Sequence, residues 1–221
     1  MPSSESVTGA LAALAHEWRW VAIAWHGLLA LLAIAIGAGW RPAARTFVAM
    51  AVLPLVSVSV LAWISGNPFN GGVFAALALG LSLQALVESA RRVTVGPPAM
   101  LIPGALLVGF GAVYPEFAGA ASWSSLVSSP LGVLPCPTLA LIAGSAIMVR
   151  GPRWPMSGLV AAAASAYGIL GAFWLRVEID VVLLVGALVL LTSLVIRAPV
   201  WHDRPRTGPS PHPRAAGGAR R

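Results

Sequence analysis

Lysine is absent from this chain, and all 14 basic residues are Arg. Without a lysine amine, a Schiff-base enzyme, a phosphate-binding loop ending in Gly-Lys-Ser/Thr and a retinal-linked seven-helix pigment are each excluded. Cys136 is the single cysteine, which removes an intrachain disulfide, a Cys-x-x-Cys redox pair and a multi-thiolate metal site. Charge of either sign is scarce. Only 10% of residues are charged, against roughly 25% in a soluble globule. What fills the space is apolar: 58% of 221 residues, with a mean hydropathy of +0.84. These numbers describe a chain whose solvent is a lipid bilayer. The formal charge of +7 is explained by membrane topology, with no nucleic acid required.

A bilayer core about 30 Å thick takes about 20 apolar residues as helix. Seven runs bounded by Arg, Pro or Gly qualify: 20–39, 43–64, 71–87, 99–114, 137–149, 157–174 and 181–196, the fourth and fifth being short. The expected architecture is therefore all-α and polytopic, with seven transmembrane helices in a single domain over residues 20–197. Residues 1–19 read as an extracytoplasmic segment without the pattern of a removable signal. Seven crossings put 12 Arg on one side, from Arg41 and Arg45 through Arg91, Arg92, Arg150 and Arg153 to the tail. Arg19 and Arg176 remain on the other. This asymmetry places the N-terminus outside and the C-terminus in the cytoplasm. Most tryptophans fall near the ends of these runs, where amphipathic rings favour the interface; Trp25 lies within one. Residues 198–221, rich in Pro and Arg, cannot bury enough apolar surface to fold. They form a basic cytoplasmic tail suited to anionic lipid headgroups.

The residues that could carry chemistry gather at two places. In Leu134-Pro135-Cys136-Pro137-Thr138, Pro137 is expected to open the fifth helix, since proline is tolerated at the first helical position, with Cys136 at the cap. Thirteen residues to Val149 span only about 20 Å, so the helix should start below the outer surface. The preceding segment, bounded by Pro115 and Pro135, should then dip inward beside Tyr114. A helix N-terminus offers N–H donors to an anion and could activate the Cys136 thiol; a buried structural cysteine explains the same residues. The loop holding Asn67 and Pro68 has turn chemistry. Gln84, an amide within an apolar run, needs a partner and should face the bundle interior; Glu88 should pair with Arg91 or Arg92. His26 lies within the first span, as a core histidine or a functional one. Glu17, Glu116, Glu178 and Asp180 form an acidic outer rim. Gly158, Ala162 and Ala166 form a small-residue stripe for helix packing. Pro54 should kink the second span, with Ser57 and Ser59 satisfying the freed carbonyls.

The candidate ligand pocket thus comprises Cys136, Thr138, Gln84, Asn67, Tyr114 and His26, shaped by Pro68, Pro115, Pro135 and Pro137. No Ser-His-Asp arrangement, paired catalytic carboxylates, nucleotide fingerprint or His-x-x-x-His spacing occurs, so an enzyme, a cofactor and a metal site are not expected. The function expected is a small-molecule or ion carrier. The alternative is a non-catalytic membrane scaffold or accessory subunit with a membrane partner or a second copy.

Asn67-Pro68 ahead of Leu83-Gln84-Ala85-Leu86, Tyr114-Pro115 ahead of Gly132-Val133-Leu134-Pro135-Cys136-Pro137-Thr138, and Gly168-Ile169-Leu170-Gly171 ahead of Val177-Glu178-Ile179-Asp180 together resemble a bacterial multi-pass family, domain of unknown function 6064. Pro-Cys-Pro-Thr is the most specific element. The resemblance implies a polytopic protein of the bacterial inner membrane, and assigns it no activity.

Overall fold

A computed structural model of the chain describes residues 4–114 and 129–197. Pro115 and the tail from residue 198 lie outside the described residues. The fold is all-α. Its helices are α1 (Ser4–Glu17), α2 (Arg19–Gly37), α3 (Ala44–Ile64), α4 (Pro68–Val87), α5 (Pro98–Val113), α6 (Pro135–Met148), α7 (Trp154–Ile169) and α8 (Val181–Arg197). A π-helical turn, Leu170–Trp174, continues α7, and one 3-10 turn, Glu178–Asp180, leads into α8. Five stretches are long and apolar enough to cross a membrane: Arg19–Gly37, Ala44–Ile64, Pro68–Val87, Trp154–Trp174 and Glu178–Val195. Helices α5 and α6 are shorter, at 16 and 14 residues. Outward-facing Leu83, Leu86, Ile102, Leu106, Val185 and Leu188 are exposed, as apolar side chains are when hydrocarbon is the solvent.

The connections collect at two ends. At one, the three Arg-bearing links are stitched by backbone hydrogen bonds. Ala44 N–H donates to the Arg91 carbonyl at 2.8 Å and Val93 N–H to the Pro42 carbonyl at 2.9 Å. Thr94 and Val95 pair antiparallel with Arg150 and Val149 as a two-stranded ribbon, β1 (Thr94–Val95) with β2 (Val149–Arg150). The ribbon satisfies N–H and C=O groups that a loop would leave open. At the other end lie the end of α3, the start of α4, the end of α5, the start of α6, the end of α7 and the start of α8.

Close packing rests on glycines the sequence reading did not select. On α5, a Cβ on Gly111 would stand 2.6 Å from the Pro137 carbonyl; on α6, a Cβ on Gly144 would stand 2.6 Å from the Gly104 carbonyl. These helices pack backbone to backbone, which small residues permit in membranes. The stripe expected on α7 is displaced: Ala162 and Ala166 face outward, while Ser157, Val160, Ala161, Ala164 and Gly168 are buried. One step around the helix separates the two faces, and alanine abundance hides which one packs.

Other expectations also shift. Helix α6 opens at Pro135, with Leu134 as its N-cap, so Pro135, Cys136 and Pro137 fill its first three positions. Helix α4 opens at Pro68, because Asn67 caps it by accepting from the Asn70 N–H at 3.1 Å. The polar loop is thereby the helix's first turn. Pro54 is inside α3, yet Ser57 donates to the Gly132 carbonyl and Ser59 to the Gly71 carbonyl. Both serines tie α3 to other segments instead of mending their own helix. Residues 4–17, expected as an extracytoplasmic segment without assigned structure, form α1. Its Leu11 and Leu14, with Trp18 just beyond it, pack on Ala22, Leu61, Val133 and Leu134.

Candidate functional site

At the end opposite the Arg-bearing links lies a cavity of about 310 Å³, bounded by α1, α4, α6, the π-helical turn and the approach to α8. Its wall is mostly apolar and aromatic. Asp180 is the one charged residue among the described residues that line it.

Asp180 is 2% exposed. Tyr114 donates its hydroxyl to Asp180 Oδ1 at 2.7 Å, and the Cys136 thiol donates to Oδ2 at 3.3 Å. Three chain segments thus converge on one carboxylate: the C-terminus of α5, the first turn of α6 and the 3-10 turn before α8. Tyr114 reaches it from an unusual backbone, with φ of 34° at the α5 C-cap. A left-handed tyrosine costs on the order of 1–2 kcal/mol. The hydroxyl bond to Asp180 and an edge-to-face contact with Phe110, ring centroids 5.4 Å apart, hold it there.

The carboxylate fits because Gly171 has no side chain; a Cβ there would run into Asp180 Oδ2. Gly171 lies in the π-helical turn, and its carbonyl accepts from the Val177 N–H at 2.9 Å. The wider helical turn and the glycine together open the space occupied by Asp180. Such π-helical turns recur at functional sites.

Across the cavity, Tyr167 donates to Asn70 Oδ1 at 2.8 Å and meets Phe74 edge to face at 5.5 Å between centroids. The Asn67 cap fixes the Asn70 backbone, and Tyr167 fixes its amide. The amide wall is therefore pre-set before any ligand arrives.

Of the six residues expected in one pocket, Cys136, Asn67 and Tyr114 line this cavity, and Pro135 and Pro137 shape it. Pro68 opens the helix that carries Asn70 and Phe69. The other three lie elsewhere. Thr138 is fully buried, accepting from the Gly132 N–H at 2.9 Å and donating to the Leu134 carbonyl at 2.7 Å; it fastens the turn leading into α6. Gln84 is at the Arg-bearing end, where its amide nitrogen donates to Glu88 and to the Arg153 carbonyl, each at 3.3 Å. Glu88 Oε2 accepts from the Arg153 N–H at 2.9 Å. This places a carboxylate at the α7 N-terminus, where the helix dipole favours it, instead of beside Arg91 or Arg92. His26 bridges helices: Nδ1 stands 2.8 Å from the Ala22 carbonyl and Nε2 2.8 Å from the Ala112 carbonyl.

The N-terminus of α6, for which an anion site and a buried structural cysteine are the two readings, offers few donors to an anion. Prolines occupy the first and third helical positions, deleting two of the N–H groups such a site would use. The Cys136 sulfur faces a carboxylate instead of a cation. Asp180 itself was legible only as part of an acidic rim. Its helical register was the missed signal: Asp180 precedes Leu183, Ala187 and Leu190 at helical spacing, and all four are buried, whereas Glu178 is exposed. Among the described residues, no group of three His, Cys, Asp or Glu side chains comes together to hold a metal.

No protein-family model matches this chain, and no curated protein or solved structure is significantly similar to it.

Proposed function

We propose that this chain is a small-molecule or ion carrier of the bacterial inner membrane and that the cavity above Asp180 is its extracytoplasmic binding site. The observation that carries this reading is the Asp180 carboxylate, buried in an apolar-walled cavity and held by Tyr114 and Cys136. A buried ionisable group in a membrane bundle is costly and marks a ligand or ion pathway by default. The bacterial assignment follows the resemblance carried by Pro-Cys-Pro-Thr.

Seven crossings are part of the proposal. The alternation of helix ends between the ribbon and the cavity supports them, including α5 and α6. At 14 residues, α6 is about 21 Å long, short of a hydrocarbon core of about 30 Å. The shortfall leaves a recess at the cavity end, and the buried residues 129–134 fill part of it. The Arg asymmetry orients this recess away from the cytoplasm, with the basic tail against anionic lipid on the inner side. The test is saturable uptake into proteoliposomes from a panel of small organic cations, anions and neutral solutes, repeated with D180N. Uptake lost in D180N is expected; no saturable uptake of any solute would remove the carrier reading.

A second reading, a scaffold or accessory subunit, draws on α2. Ala22 is that helix's one fully buried residue among the described ones, and exposed Ile23, Leu28, Leu31 and Ile34 leave apolar surface for a membrane partner. Crosslinking that captures a stoichiometric partner along α2, with no solute uptake, would favour it.

A further inference from the structure

We infer that the ligand of this cavity is a small organic cation, an ammonium group on an aromatic or branched apolar body; the inference rests on the carrier reading only for the location of the site.

Charge decides the class first. The single charged lining residue among the described ones is an acid, and at short range in a low-dielectric wall a carboxylate rejects an anion and attracts a cation. The same wall lacks the usual anion device, because Pro135 and Pro137 remove donors from the first turn of α6.

Aromatic placement points the same way. Phe69, Tyr114, Tyr167 and Trp174 all line the cavity, and ring faces attract ammonium groups, most strongly where water is excluded. The tyrosine hydroxyls are already committed, Tyr114 to Asp180 and Tyr167 to Asn70. With both hydroxyls bonded, what these two residues add to the lining is ring carbon.

Size and wall chemistry supply the body of the ligand. A volume of about 310 Å³ is at the low end of small-molecule sites, about 300–1,000 Å³. Leu11, Leu170, Leu175 and Val177 add aliphatic wall beside the two amides, Asn67 and Asn70, which favours a hydrocarbon body over a hydrated metal ion. A bare inorganic cation would need several oxygen ligands at close range, and the wall is mostly carbon.

Phenethylammonium is the probe, with phenylpropionate and phenylpropanol as anionic and neutral counterparts of similar shape. Equilibrium dialysis against the purified full chain should show saturable binding of the cation at least tenfold tighter than the alcohol, and none of the anion. D180N should bring the cation to the level of the alcohol. Binding of phenylpropionate as tight as the cation, or undiminished cation binding to folded D180N, would overturn the inference.

The unmutated protein gives a second readout if D180N does not fold. Phenethylammonium should slow modification of Cys136 by a cationic methanethiosulfonate severalfold, and phenylpropionate should not. Equal protection by both, or by neither, counts against the cation. Cation binding without uptake into proteoliposomes would leave this ligand class standing and remove the carrier. Saturable uptake of anions alone would do the reverse.

Discussion

The side chain of Asp180 occupies the space that a Cβ on Gly171 would need. Nine positions apart in the chain, the two residues are joined through the π-helical turn and the left-handed Arg176, with φ of 58°. The chain doubles back at the end of α7 so that a carboxylate is set into a notch on the helix it has just left. The notch, the Tyr114 hydroxyl and the Cys136 thiol then fix where both carboxylate oxygens point.

Gly171→Ala should therefore be costly. The added methyl meets a carboxylate held by Tyr114 and Cys136, and overpacking of this kind costs typically 1–3 kcal/mol. Gly158→Ala on α7 is the control, because a Cβ there would meet only the Trp154 ring at 3.8 Å, an ordinary contact. Thermal unfolding in detergent should show a clear loss for the first and little change for the second. Equal melting temperatures would deny the notch its role.

Tyr114→Phe removes the donor 2.7 Å from Asp180 while keeping the ring against Phe110. A hydrogen bond to a charged group is worth about 1.5–3 kcal/mol, so unfolding should register a loss within that range. In D180N the same change should cost less, since the hydroxyl then bonds a neutral amide oxygen in place of a carboxylate; a double-mutant cycle reads the difference. Additive losses would mean that the Tyr114 hydroxyl stabilises the fold independently of the Asp180 carboxylate.

Helix lengths and positions were largely legible because long apolar runs between Arg, Pro and Gly leave few alternatives in a chain this hydrophobic. The convergence of Asn67, Tyr114 and Cys136 was legible for the same reason: once the runs alternate, all three fall at one end. Alternation equally well placed Gln84 at the other end, and only its polarity argued for a site. Asp180 was obscured because three residues, Glu178, Ile179 and Asp180, lie at a helix start, where register is hard to fix and one position decides burial. The start of α6 at Pro135 was hidden by a degeneracy: proline is compatible with the first turn at several positions, and two prolines bracket Cys136. Helix α1 carries Leu11, Leu14 and then Trp18 at helical spacing, but at 14 residues with polar ends it is not a membrane crossing, and a search for apolar runs passes over it.

Gln84→Leu separates the two ends of the bundle. The amide bonds Glu88 and the Arg153 carbonyl, while its Oε1 has no hydrogen-bond partner among the described residues. Hydrogen bonds between membrane helices average about 0.6 kcal/mol, with values to about 2, so the loss in stability should be small. Solute binding at the cavity should be unchanged. A Gln84→Leu protein that folds but no longer binds would make Gln84 part of a path running the length of the bundle.

Ser57 should matter more than its size implies. Its hydroxyl accepts from Trp25 Nε1 at 3.1 Å and donates to the Gly132 carbonyl at 2.6 Å, joining α2, α3 and the turn before α6. Gly132 has φ of 70° and lies against the Trp25 ring so closely that no Cβ fits. Ser57→Ala strips two partly buried groups of their partner, each costing about 1–3 kcal/mol where water cannot replace it. The turn it releases is also held by Thr138 and feeds into Cys136, four residues beyond Gly132. Ser57→Ala should therefore lower the melting temperature and speed modification of Cys136 by an impermeant thiol reagent, whereas Ser59→Ala, whose hydroxyl bonds the Gly71 carbonyl, should lower stability without changing that rate. If both serine variants expose Cys136 equally, the turn is governed by the bundle as a whole and not by the Ser57 link.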